Sequence, residues 1–175
     1  MRMHRIAVLF VVLFAPTVAA AQQNHDHAGH SQYAGMQSRE IKALDSTAVH
    51  SYMTGAGMGF ALAAELNRYP GPRHVLELAD SLNLTASQRE ATAQIFERMD
   101  RAARGLGEEI VALERELDQR FAHRHIDAAT LAGMTERIGV LNGRLRAVHL
   151  SAHLEQTALL TGEQVAAYQR LRGYD

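Results

Sequence analysis

Between Ala128 and Leu160 the apolar and small residues fall at Leu131, Met134, Ile138, Leu141, Leu145, Val148 and Ala152, in steps that alternate three and four, with Leu159 further on. Such steps draw one stripe along one face of a helix, because about 3.6 residues make a turn. A helix this long with a single stripe has to lie against another helix. The partner is legible upstream: Ile95, Met99, Ala103, Leu106, Ile110, Leu113, Leu117 and Phe121 repeat the spacing, which predicts a helix of about 35 residues, or about 50 Å. Gly105 and Gly107 are expected to soften its middle. The pattern lapses over 122–126, and Asp127 is a good N-cap for the second helix. So short a connection folds the pair into an antiparallel hairpin, with positions whose numbers add to about 250 facing each other.

Each long helix has the same device at one end. In LTASQ, residues 84–88, Thr85 can accept from the backbone N–H three residues on while Gln88 reaches back, a capping box worth about 1 kcal/mol. Leu84 stands where a hydrophobic staple would. LTGEQ at 160–164 repeats the arrangement with Leu160, Thr161 and Gln164, and opens a short helix to about Leu171. Upstream, Gly55, Gly57 and Gly59 precede a short apolar segment from about 59 to 68, Tyr69-Pro70-Gly71-Pro72 breaks it, and 73–82 reads as another short helix with Val75, Leu76, Leu78, Ala79 and Leu82 inward. The expected fold is all-α: a four-helix protomer in which short helices flank the hairpin. With 6% aromatics and no Trp its core should be thin.

The first residues read as an address. Arg2 and Arg5 form a positive head, Ile6 to Val18 is an apolar run too short to span a membrane, and Ala19 to Ala21 suit a signal peptidase, so 1–21 is expected to be a secretory signal and the mature protein periplasmic and not membrane-embedded. Residues 22–51 are rich in Gln, His, Ser and Gly and are expected to be a mobile arm; 52–175 is the helical domain. Removing Arg2 and Arg5 from 18 basic residues leaves 16 against 19 acidic ones, too balanced for a nucleic-acid binder. The absence of Cys excludes disulfides and thiolate chemistry.

Candidate chemistry centres on His149 and His153, one helical turn apart beside the stripe. Two imidazoles so placed can ligate one ion, given one or two further donors. Asp100 sits at the matching level of the facing helix, and His50, Met58, Glu65, His74 and Glu77 are further candidates. The alternative is a structural pair at the seam's edge, bound to Asp100, Glu97 or Glu155. Leu150 stands where a zinc peptidase would carry its catalytic Glu, and no other catalytic constellation is visible, so no enzyme is expected. His25, His27 and His30 are either a polar tail or a weak Zn²⁺ or Cu²⁺ trap. Met99 and Met134, at helical spacing, read as core filler, with soft ligation of Cu(I) the alternative open to these and to Met36, Met53 and Met58. The arginines along both helices read as a solvated face, and His123 and His125 as exposed turn residues.

With its paired motifs LTASQ and LTGEQ, the hairpin between them and the leader, the chain over about 58–172 resembles the Spy/CpxP type of periplasmic LTxxQ proteins. That group is related to zinc-resistance-associated and nickel/cobalt-sensing proteins. The resemblance implies a dimeric, cradle-like assembly that acts without ATP as an envelope chaperone for unfolded or stress-related proteins. It equally implies a sensor or buffer of Zn²⁺, Ni²⁺, Co²⁺ or Cu²⁺ that signals to a membrane partner. No organic cofactor is implied. The near-neutral charge departs from the basic face of the chaperone branch, and the His149 and His153 pair departs from the His and Met pair of the nickel/cobalt branch.

Overall fold

The computed structural model describes residues 31–174. The expected signal at 1–21 and the candidate ligands His25, His27 and His30 lie outside the described residues. Residues 31–34 form a turn of their own, the Ala34 N–H donating to the Ser31 carbonyl at 2.7 Å. From residue 35 on, a 3-10 turn at Met36–Ser38 is followed by six helices: α1 Ser46–Met53, α2 Leu62–Glu65, α3 Pro72–Glu77, α4 Ala86–Ala122, α5 Ala128–Leu159 and α6 Gly162–Arg172. The fold is all-α, and among the described residues no helix is long and apolar enough to cross a membrane.

The hairpin forms as the spacing predicts. α4 and α5 run side by side, and their cross-links pair Thr92 with Gln156, Arg98 with Glu155 and Glu109 with Arg137, numbers that add to near 250. At the tip, Arg124 takes a left-handed φ of 57°, which lets the His125 N–H return to the Arg120 carbonyl, and Asp127 caps α5 by accepting from Thr130 at 2.7 Å. The stripes are buried only where something covers them. Ala103, Ile110, Leu113, Leu141 and Leu145 form the inner core with Tyr52 and Phe60 packed on it, whereas Phe121 and Leu131, at the uncovered tip, stay exposed.

Packed structure begins earlier than composition predicts. The segment expected to be mobile up to residue 51 contains Ile41, 1% exposed, and α1, which lies on α4. Asp118 accepts from both the backbone N–H and the Nζ of Lys42, and Glu40 accepts from Arg115 at 3.0 Å. Gly107 explains the fit. A Cβ there would run into the Tyr52 carbonyl, so the glycine expected to loosen α4 is instead the point where α1 crosses it. The helix stays continuous.

Both capping boxes are formed, and they meet. Gln88 Nε2 donates to Gln164 Oε1 at 2.9 Å while Gln164 Nε2 donates to Gln88 Oε1 at 3.0 Å. Each amide has a further bond to a carbonyl, Gln88 to Leu159 and Gln164 to Leu82, so both are saturated. Around them Leu84, Leu82, Val75, Ala79 and Tyr168 form a second core. Because each cap acts within its own helix and the amide pair acts between them, Gln88→Ala and Gln164→Ala should be non-additive. We expect a double-mutant cycle in urea to give about 0.5–3 kcal/mol of coupling; additivity would show that the two amides act separately.

Candidate metal-binding cavity

The segment between α1 and α4 folds back over the flank of the hairpin and forms with it a partly open cavity of about 580 Å³. Its walls include the glycine-rich loop 54–59, α2 and the start of α3 on one side, and Phe96, Met99, Asp100, Arg104, His149 and His153 of the hairpin on the other. At the seam's edge His149 and His153 are expected to be partly buried and still within reach of water. They are 3% and 8% exposed, because Phe60 stacks on the His149 ring at 6.0 Å between centroids and Gly71 presses on His153. A Cβ on Gly71 would come within 2.8 Å of that ring, so the Pro-Gly-Pro turn carries the residue that close approach demands.

The two imidazoles differ in their partners. His153 Nδ1 lies 2.7 Å from the Tyr69 carbonyl, an acceptor only, so Nδ1 carries a hydrogen. A carbonyl behind a ring in this way is how ligating histidines are commonly oriented. His149 Nε2 is buried with no hydrogen-bond partner. Desolvation holds the His149 pKa below the usual imidazole value, the charge of His153 adds to that, and Asp100 partly opposes it.

The other sequence candidates divide. Met58, Glu65, His74 and Asp100 line the cavity; His50 and Glu77 do not. His74 Nδ1 is tied to Glu77 at 2.8 Å and Asp100 accepts from Arg104 Nε at 2.7 Å. The Glu97 and Glu155 pairings considered for the histidines are absent, Glu155 binding Arg98 instead. Glu65, a buried carboxylate, accepts from the hydroxyls of Tyr168 at 2.6 Å and Tyr174 at 3.2 Å, with Arg172 Nε and His153 Nδ1 each 3.7 Å from one of its oxygens. Burial and this carboxylate raise the Tyr168 pKa strongly, so the phenol remains a donor. Tyr168 and Tyr174 were not foreseen as part of the site; the only sequence signal was two aromatics in a chain with few. Among the described residues, no three His, Asp or Glu side chains are spaced to hold an ion together. His149, His153 and Asp100 share the cavity without forming such a set.

Fold and cavity define a class: an all-helical hairpin protein with a partly open cavity lined by two buried imidazoles. Comparison with known protein families, curated proteins and solved structures finds no match.

The titration of His149 sets a sign. Unfolded histidine takes its proton near pH 6.5, while buried His149 resists it, so the unfolded chain binds more protons as pH falls below that value. The stability contributed by a neutral His149 is therefore full above about pH 6.5 and declines as pH falls toward the depressed folded value. The melting temperature should drop between pH 7.5 and pH 5, and the drop should be shallower in His149→Gln. Equal slopes in differential scanning calorimetry would mean that another group governs acid stability.

Proposed function

We propose that this chain is an exported, non-enzymatic helical protein of envelope-stress or heavy-metal-resistance type. It binds a Zn²⁺-like divalent ion in the cavity and, without ATP, binds unfolded or stress-related envelope proteins on its surface, as a homodimer. The observation that carries the metal half is the unpartnered, buried Nε2 of His149 in a chamber shared with His153. A neutral imidazole with a free lone pair is a ligand in waiting. The residues fit an ion in that sense: His149 and His153 would supply nitrogen, with Asp100 or Glu65 available once detached from present partners. The ion would supply cross-linking of the hairpin to the segment that covers it.

Client binding is supported by apolar surface. Leu62, Leu66, Tyr69, Leu154 and Leu171 are exposed, and a groove of about 490 Å³ on the hairpin is lined by Ile95, Met99, Leu106, Val148 and Ala152 with Arg98 and Arg144 at its edge. A second reading, a dedicated metal sensor or buffer that signals to a membrane partner, is favoured by the cavity lying between two parts of the fold, so that occupancy would alter their packing.

Purified protein should bind Zn²⁺ by competition titration, and His149→Gln should weaken binding about ten-fold or more. At one hundred times Kd the ion should add about 2.7 kcal/mol of stability. Unchanged affinity in the variant would remove the cavity from the reading. Metal-dependent packing without any delay in aggregation of a denatured client would select the sensor.

A further inference from the structure

One wall of the cavity is weakly built. α2 contributes Leu62 and Glu65 to the lining, but it is a single turn, too short to keep its shape without tertiary contacts. Leu62 and Leu66 are exposed, and within α2 only Ala64 and Glu65 are buried. A methyl group secures little, so the side chain that fixes α2 inward is the Glu65 carboxylate. The chain enters α2 through Gly55 and Gly59, both at positive φ, and leaves it at the buried Pro70 and Pro72. The wall is stiff on its downstream side and joined to a pliable loop on the other.

The two oxygens of that carboxylate face different parts of the fold. Oε2 has no hydrogen bond and lies 3.7 Å from His153 Nδ1, on the side of Gly71 and His153, which line the cavity with it. Oε1 is turned to the end of α6, where it accepts from the Tyr168 hydroxyl at 2.6 Å and the Tyr174 hydroxyl at 3.2 Å, with Arg172 Nε 3.7 Å away. Local structure brings the second hydroxyl there. Gly173 takes φ 69° and the Tyr174 N–H returns to the Gln169 carbonyl at 3.1 Å, which folds the Tyr174 ring back onto the core around Val75, Leu84 and Tyr168. Arg172 Nη2 donates to the same hydroxyl at 3.1 Å, and its guanidinium stands 5.6 Å from the ring centroid.

We infer that α2 is a movable wall of the cavity, latched through Glu65 by the hydroxyls of Tyr168 and Tyr174, and that this latch regulates the ion site. The regulation rests on the metal-binding reading above. An ion that takes Glu65 as a ligand has to draw the carboxylate from its clasp, so the latch opposes binding and binding releases the end of α6. The coupling is reciprocal, as any linkage between two equilibria must be. Tyr168 and Tyr174, which touch no ion themselves, are positioning residues, and the end of α6 is where occupancy of the cavity is read out.

The test uses the full protein with His25, His27 and His30 changed to Ala, so that the N-terminal histidines cannot bind the probe. Tyr168→Phe and Tyr174→Phe keep each ring in the core and remove one hydroxyl. Without metal, hydrogen exchange at the amides of residues 64–69 should quicken about ten-fold in Tyr168→Phe, the effect of losing one hydrogen bond to a charged group, and less in Tyr174→Phe, while exchange over 110–140 stays unchanged. Zn²⁺ affinity, measured against a chromophoric chelator, should rise in the same order, and saturating Zn²⁺ should quicken exchange at the Tyr174 amide of the parent protein. Unchanged exchange at 64–69, or a rise spread equally over 110–140, would overturn the latch. If Zn²⁺ bound the parent and both variants equally, the regulation would fall and the metal reading would stand; if Zn²⁺ bound none of them, both would fall.

Discussion

The amide pair between Gln88 and Gln164 is the contact on which the closed end of the molecule depends. Each glutamine already completes the first turn of its own helix, accepting from the N–H of Thr85 or Thr161. By also bonding one another they fix the start of α4 against the start of α6, with α5 arriving between them through the Leu159 carbonyl. Three helix ends and the turn that follows α3 are thereby tied at one level, since Leu82 supplies the other carbonyl. Both amides are half-buried and saturated, so displacement of one would leave several polar atoms unmatched.

With that end fixed and the turn at Arg124 fixing the other, α4 and α5 offer a rigid flank, and residues 41–82 take their places on it. Their placement follows from shape more than from charge. Gly107 admits the backbone of α1, Gly71 admits the His153 ring, and Phe60 fills the space over His149. The ion pairs along this seam, such as Arg115 with Glu40, are largely exposed and worth at most about 1 kcal/mol each. The cavity is what remains when a chain interrupted by three glycines and the Pro-Gly-Pro turn covers two histidines without filling the volume beside them.

How much of this was legible in the residues follows from the range of each interaction. The two long helices, their antiparallel pairing and both capping boxes are periodic or local, and period and local spacing are visible in one dimension. The packing of α1 depends on Gly107, which lies 55 residues beyond the Tyr52 it admits, and no spacing rule links those positions. For the same reason the residues paired with His149 and His153 were misjudged. Their helix face was right, but the depth of burial was set by the segment that covers them. Glu65 could be named as a candidate, yet its clasp by Tyr168 and Tyr174 spans the whole length of the domain. The depth of the site is a tertiary property laid over a readable hairpin.

Two of the buried polar atoms without a partner belong to residues that line the cavity. A buried donor or acceptor without a partner costs about 1–3 kcal/mol, and stability alone would favour leucine at position 149, beside an apolar stripe and under a phenylalanine ring. The fold instead carries a histidine whose Nε2 has no partner, and near it Glu65, whose Oε2 also lacks one. Both residues line the same cavity. Three further buried atoms without a partner, Gln156 Oε1, Gln169 Nε2 and Arg172 Nε, lie outside it. The two on this cavity stand beside Met58, held at a left-handed φ, and an imidazole oriented by the Tyr69 carbonyl.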